Sequence, residues 1–381
     1  MKQGNIGAGQ AVILLLVSRC YNMLNYIPAF DEKTDGMAIL YGNLLAAGIQ
    51  LLLLVPALLL YRKMEGQNVI TAAYNVWKPL GWVFAFCYFL SSLAQLAGTF
   101  MGFEYFMVNA VYPNASAVFI IVTLSLTCFW CGRGGFEGIA RAGAIVFVFL
   151  LLSLGFISAV SVASMDLYNF HPILSDPAAA IFRAALSNIS KSSELYLLIL
   201  MYPKIKGSVG KSSLGLIASA FLLLEITGLV LQGVLGEFAL TQTFPYYTLA
   251  SITDTSILQR LDSLHMMLWV FCAFIRCTLL VILSNYCIRM ILPQKAHRFV
   301  LPVMFVISTG AAVLLAYSTE YLKALNTANS MGGVVALLTA GFPLLMLLIP
   351  RRRKRPHNNS EGRNPSRRDT EEDFTVVPDT D

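Results

Sequence analysis

SNISKSSELYLLILMYP occupies residues 187–203, between two long apolar runs. Its second half reads as a membrane helix, while its first half carries Lys191 and Glu194 where a span normally carries aliphatic side chains. A charge at the centre of a bilayer costs about 2.5–3.5 kcal/mol on insertion scales, so such residues face a bundle interior or a water-filled cavity. Glu194 precedes Pro203 by nine residues, about 13 Å along a helix, which places it near mid-membrane. A second stretch behaves in the same way. AVILLLV (11–17) runs into SRCYNMLNY (18–26) and then Ile27-Pro28, with Arg19 at a similar depth. Two polar interruptions of this kind predict broken helices facing each other across a site lined by freed backbone groups.

Working outward, the remainder of the chain supplies the membrane. Hydrophobic residues make up 57% of the 381 positions and charged residues 13%, which excludes an ordinary soluble domain. The apolar blocks are long enough to cross a hydrocarbon core. They predict ten spans, at about 8–29, 37–61, 80–111, 115–131, 140–163, 183–203, 213–236, 263–290, 299–317 and 331–350. The first is read as a retained helix, not a cleaved signal. Arg62, Lys63, Lys78, Lys204, Lys206, Lys211 and the run RRRKR (351–355) gather on alternate loops. Both termini are therefore expected in the cytoplasm. The basic loops suit anionic lipid and not nucleic acid, since no soluble domain carries a basic face. The fold class expected is an all-α polytopic membrane domain over 1–350, followed by a cytoplasmic tail over 351–381 that is basic and then disordered.

Ten spans divide as five and five, over about 8–163 and 183–350. The third and eighth spans are the longest, and each follows a long connection. In the first connection Ile70, Ala73, Tyr74 and Trp77 form one apolar helical face. In the second, Pro245 is placed to open a helix. Similar devices on opposite sides of the membrane predict an inverted repeat.

The candidate ligand-binding residues are Arg19, Tyr21, Asn22 and Asn25 at the first interruption, and Ser192, Ser193 and Glu194 at the second. Arg19 reads equally as the structural partner of Glu194 or as the receiver of a substrate carboxylate. Lys191 shares a helical face with Glu194 on spacing alone, and is assigned to snorkelling in preference to an intrahelical ion pair. Glu225 and Arg276, mid-span on the seventh and eighth helices, are expected to pair with each other, with a proton relay as the alternative. Glu104 is placed at the edge of an outer vestibule. No cofactor is expected. Cys128 and Cys131 form a CxxC without further ligands nearby, so no metal site is expected either. No phosphate loop, HExxH or GxSxG motif occurs, and the chain is not read as an enzyme.

Three segments together resemble the GerAB-like spore germination permeases, the B subunits of spore germinant receptors in the amino acid–polyamine–organocation superfamily. SSELYLLILMYPKIK (192–206) is similar to that family's sixth helix. LYNFHPILSDP (167–177) is similar to its lead-in, and LQRLDSLHMMLWVFCAFIRC (258–277), with Arg260, Asp262 and Trp269, to the start of its eighth helix. The resemblance extends to about residue 350. It departs in the first helix, where SRCYNMLN stands in place of the family's usual small glycines. The resemblance implies a LeuT-type fold of ten transmembrane helices in a 5+5 inverted repeat, with helices one and six broken. It implies a place in the spore inner membrane beside an A-type membrane subunit and a C-type lipoprotein subunit, and a small germinant, typically an amino acid, as ligand. Two other readings stay open, a secondary amino-acid transporter working by alternating access and a non-binding assembly subunit, because one scaffold serves all three.

Overall fold

Within a bilayer the backbone must satisfy its own hydrogen bonds, which a helix does inside a single segment. The computed structural model accordingly consists almost wholly of helices. It describes residues 5–24, 36–64, 66–173, 177–252, 261–318 and 332–349. Asn25, Arg260 and the tail at 351–381 lie outside the described residues.

The helices are α1 (Ala8–Leu24), α2 (Gly36–Lys63), α3 (Val69–Val76), α4 (Lys78–Phe106), α5 (Ala117–Gly132), α6 (Gly135–Ser161) and α7 (Ala178–Ser190). There follow α8 (Glu194–Met201), α9 (Val209–Leu235), α10 (Phe238–Thr241), α11 (Pro245–Ile252), α12 (Leu261–Arg289), α13 (His297–Ala316) and α14 (Gly332–Leu348). Six of them, α2, α4, α6, α9, α12 and α13, are long and apolar enough to cross a membrane, and α1, α5 and α14 are shorter apolar helices. The protein is an integral membrane protein.

The centre of the bundle is set by burial. All eight residues of α8 are buried, as is α1 from Leu14 through Tyr21. In α12, 72% of the most apolar window is buried, against 28–44% in the other long helices. Helices buried on all sides form the core, whereas the others keep one face for lipid. Just before α1, Ile6–Gly7 pairs in parallel with Ile205–Lys206, just after α8. This short ladder ties the start of α1 to the end of α8, so the two central helices run antiparallel.

The sixth span breaks at Lys191–Ser193, between α7 and α8. Over the described residues the first runs on as helix to Leu24. Ser18 through Leu24 continue α1, and the rest of the expected interruption, Asn25 and Tyr26, lies outside the described residues. Polar side chains need not unwind a helix when partners on neighbouring helices satisfy them, and those of α1 find such partners. Short helices precede both long ones, α3 before α4 and α10 and α11 before α12. Asn68 caps α3, its side chain accepting a hydrogen bond of 2.9 Å from the Ile70 amide. Ile70 and Ala73 are buried, but Tyr74 and Trp77 are exposed, contrary to the single apolar face expected. Aromatic rings at a helix end suit the membrane–water interface.

One close approach positions the site. A Cβ on Gly42 of α2 would stand 2.5 Å from the Ala184 Cβ and 3.0 Å from the Ala185 amide of α7. Small residues let membrane helices meet at the backbone, and this contact brings Asn43 against Asn188. Gly42→Val should therefore cost about 1–3 kcal/mol through overpacking, read as a lower melting temperature of the purified protein. Gly48→Ala, on the same helix with open space around it, should leave the melting temperature unchanged.

Candidate functional site

The break between α7 and α8 leaves two helix ends inside the membrane. A helix C-terminus attracts positive charge and an N-terminus negative charge. The side chains obey this sorting. At the end of α7, Arg19 of α1 donates through Nη1 to the Lys191 carbonyl, and through Nη2 to the Asn188 carbonyl (3.3 Å) and the Asn188 Oδ1 (2.6 Å). Asn22, one turn along α1, donates to the same Lys191 carbonyl at 3.0 Å. At the start of α8 stands the carboxylate of Glu194.

Glu194 finds its cation on α12. Its Oε1 pairs with Arg276 Nη1 and accepts from the Ser18 hydroxyl at 3.1 Å. The Arg276 guanidinium is saturated. Nε donates to Thr99 Oγ1 at 3.2 Å, and Nη1 also reaches the Ser18 hydroxyl (3.3 Å) and carbonyl (3.4 Å). Nη2 donates to Gln95 Oε1 at 3.0 Å and to Ser193 Oγ at 3.1 Å. The Tyr21 ring lies 5.8 Å beneath the same guanidinium and stacks on Trp269 at 5.2 Å, while its hydroxyl donates to the Thr99 carbonyl at 3.1 Å. Arg19 stands farther off, 4.0 Å from Glu194 Oε2, an oxygen that is buried without a hydrogen bond.

Two networks thus meet at the break. The first is centred on Arg276 and joins α1, α4, α8 and α12. The second is centred on Asn188 and joins α1, α2 and α7. In the second, Gln50 of α2 donates to Asn188 Oδ1 (3.2 Å) and Ser192 Oγ (2.9 Å), and Asn188 Nδ2 donates to Asn43 Oδ1 (2.7 Å). Ser192 closes back on the Asn188 carbonyl at 2.7 Å.

Beside the second network lies a cavity of about 30 Å³, walled by Arg19, Asn22, Asn43, Ser187, Asn188, Lys191 and apolar neighbours. A second cavity, of about 70 Å³, shares Met23, Ile39, Asn43 and Leu224 with it and extends towards Gly36, Gln232 and Pro245, away from the start of α1. The smaller cavity has room for a water or two. A larger guest must move its walls. Arg19 and Lys191 give this space a positive character that suits a carboxylate.

Several sequence expectations change here. Arg276 pairs with Glu194 and not with Glu225, because α12 turns it towards α1, α4 and α8. Glu225, half-buried on α9, instead lies beside Asn43 of α2. Lys191 and Glu194 do not share a helical face, because the helix breaks between them. Lys191 lines the smaller cavity beside Arg19, and Glu194 pairs with Arg276 and Arg19. Glu104 is buried in the last turn of α4. Arg19, Tyr21, Asn22, Ser192, Ser193 and Glu194 are brought together around the break. Sequence reading missed Asn43, Gln50, Gln95, Thr99 and Asn188. The amides were visible as lone polar residues in apolar runs, as in AAGIQLLLLV (46–55) and SSLAQLAGTF (91–100).

A broken central helix packed against an antiparallel partner, within a bundle of apolar helices, defines a membrane protein of the LeuT-type transporter fold. The structure resembles a Na+-coupled sialic acid symporter in a substrate-bound outward-open state (TM-score 0.61, 15% identity, 91% of this chain and 80% of that one). It also resembles a mutant of the Eremococcus coleocola manganese transporter (TM-score 0.57, 15% identity, 91% of this chain and 78% of that one). At such identity the likeness concerns the fold alone. No curated protein sequence matches the chain. Residues 38–319 match the family described as spore germination protein, and the chain belongs to that family.

Breaking a buried ion pair from one side costs about 3–5 kcal/mol, whereas removing both partners costs much less. Glu194→Gln and Arg276→Met should each destabilise the purified protein by that order, and the double variant by less than their sum. Additive losses in a thermal-unfolding cycle would show that the two side chains are not energetically coupled.

Proposed function

We propose that this protein is the B-type subunit of a spore germinant receptor, lodged in the spore inner membrane with both termini in the cytoplasm. It takes a small germinant of the amino-acid class at the Arg19–Lys191 cavity and signals to an A-type membrane subunit and a C-type lipoprotein subunit. Membership of the spore germination family supports this reading. The observation that carries it is the cationic, amide-lined cavity at the break of the sixth span, whose Arg19 lies 4.0 Å from the Glu194 carboxylate.

The physical step follows from what Arg19 already holds. Its guanidinium is engaged by neutral acceptors, the Lys191 and Asn188 carbonyls and the Asn188 amide oxygen. A ligand carboxylate is a stronger, charge-assisted partner and competes for the same donors. Drawing Arg19 towards the cavity loosens the end of α7 from α1. A ligand shifts the conformational balance only through different affinity for the two states, and Arg19 supplies that difference. Asn22 and Asn43 offer further donors and acceptors to the guest. The approach runs through the larger cavity, from the side opposite the start of α1.

Arg19→Met should abolish the germination response of spores to their amino-acid germinant at unchanged membrane levels of the protein, and Arg19→Lys should retain part of it. Purified wild-type protein should show a thermal shift with that germinant, and Arg19→Met should show none. Accumulation of labelled germinant in proteoliposomes containing this chain alone would overturn the receptor reading in favour of a transporter.

A further inference from the structure

Six oxygens surround the guanidinium of Arg276. They are the Ser18 carbonyl and hydroxyl, Gln95 Oε1, Thr99 Oγ1, Ser193 Oγ and Glu194 Oε1. Three of them, the Ser18 pair and the Glu194 oxygen, converge on the single atom Nη1. A carboxylate, a hydroxyl and a main-chain carbonyl at one point are also the donor set that replaces the hydration shell of an alkali-metal ion. Arg276 is 1% exposed, so the charge there is met by protein and not by water.

The electrostatics demand a cation at this point. Without one, Glu194 would be an uncompensated buried carboxylate at mid-membrane, with only the more distant Arg19 at 4.0 Å to answer it. The oxygens come from α1, α4, α8 and the break just before α8, and each accepts from the guanidinium. The Glu194 carboxylate and the Ser18 carbonyl can only accept, and together they call for a positive charge at this point. Here the positive charge is covalently attached to α12.

We propose that the Arg276 guanidinium holds the place of an alkali-metal ion, so that the α1–α4–α8–α12 junction takes no Na+ or K+ from solution and becomes a sodium site when the guanidinium is removed. A tethered cation cannot dissociate, so this junction provides no step at which an ion gradient could drive a guest across the membrane.

The test is the thermal stability of the purified full-length chain in NaCl, KCl and choline chloride at equal ionic strength. Wild-type protein should melt at the same temperature in all three. Arg276→Ala should melt several degrees lower in choline chloride, and should recover in NaCl or on addition of millimolar guanidinium. The double variant Glu194→Gln/Arg276→Ala should lose that recovery. Stabilisation of the wild type by Na+ relative to choline would overturn the proposal, as would an Arg276→Ala variant indifferent to both Na+ and guanidinium. Arg276→Gln, which keeps bulk and removes charge, provides the same readout should the alanine variant fail to fold, and the wild-type comparison requires no variant.

Discussion

The cost of placing charge at mid-membrane governs this structure. Glu194 and Arg276 are both almost fully buried, and neither is tolerable there alone. Arg276 has five N–H donors, and each reaches an oxygen supplied by α1, α4, α8 or the break just before α8. The guanidinium fork is rigid, so those oxygens must arrive at fixed positions. Apolar packing between membrane helices specifies rotation and depth weakly, because lipid is as apolar as the helix surface. The fork therefore does what leucines cannot. It sets how far four helices are rotated and how deeply they sit relative to one another.

The break in the sixth span is the counterpart of that constraint. An unbroken helix through Lys191–Ser193 would bury no free helix ends, and hence would offer no dipole termini at this depth. With the break, the last carbonyls of α7 hold Arg19 and the first turn of α8 holds Glu194. Helix ends and side-chain charges thus stabilise each other. The remaining positive character, from Arg19 and Lys191, faces the cavity. The same arrangement that stabilises the fold leaves one side of it short of negative charge.

Much of this was legible in the sequence, for a definite reason. Charges and serines inside an apolar run have few physical explanations, so SNISKSSE (187–194) marked the break and Arg19 marked its neighbour. Partner choice was not legible. Whether Arg276 meets Glu194 or Glu225 depends on how α9 and α12 are rotated, and apolar runs without a clear polar face do not encode rotation. Polar residues in α1 suggested unwinding, but from sequence alone an unwound segment and a helix with satisfied side chains look alike. Asn43, Gln50 and Gln95 were passed over because single amides carry no charge to justify, although buried amides need partners just as firmly.

The continuity of α1 has a mechanical consequence. Successive residues on a helix point about 100° apart. Ser18 belongs to the Arg276 network and Arg19 to the Asn188 network. A helix broken at this point would let the two networks shift separately. An intact helix does not, because turning Arg19 towards the cavity also turns Ser18 under Glu194 and Arg276. The two networks are coupled through the rigidity of one rod. The unbroken form of α1, which the sequence did not anticipate over residues 18–24, is thereby the element that carries an event at the cavity into the centre of the bundle.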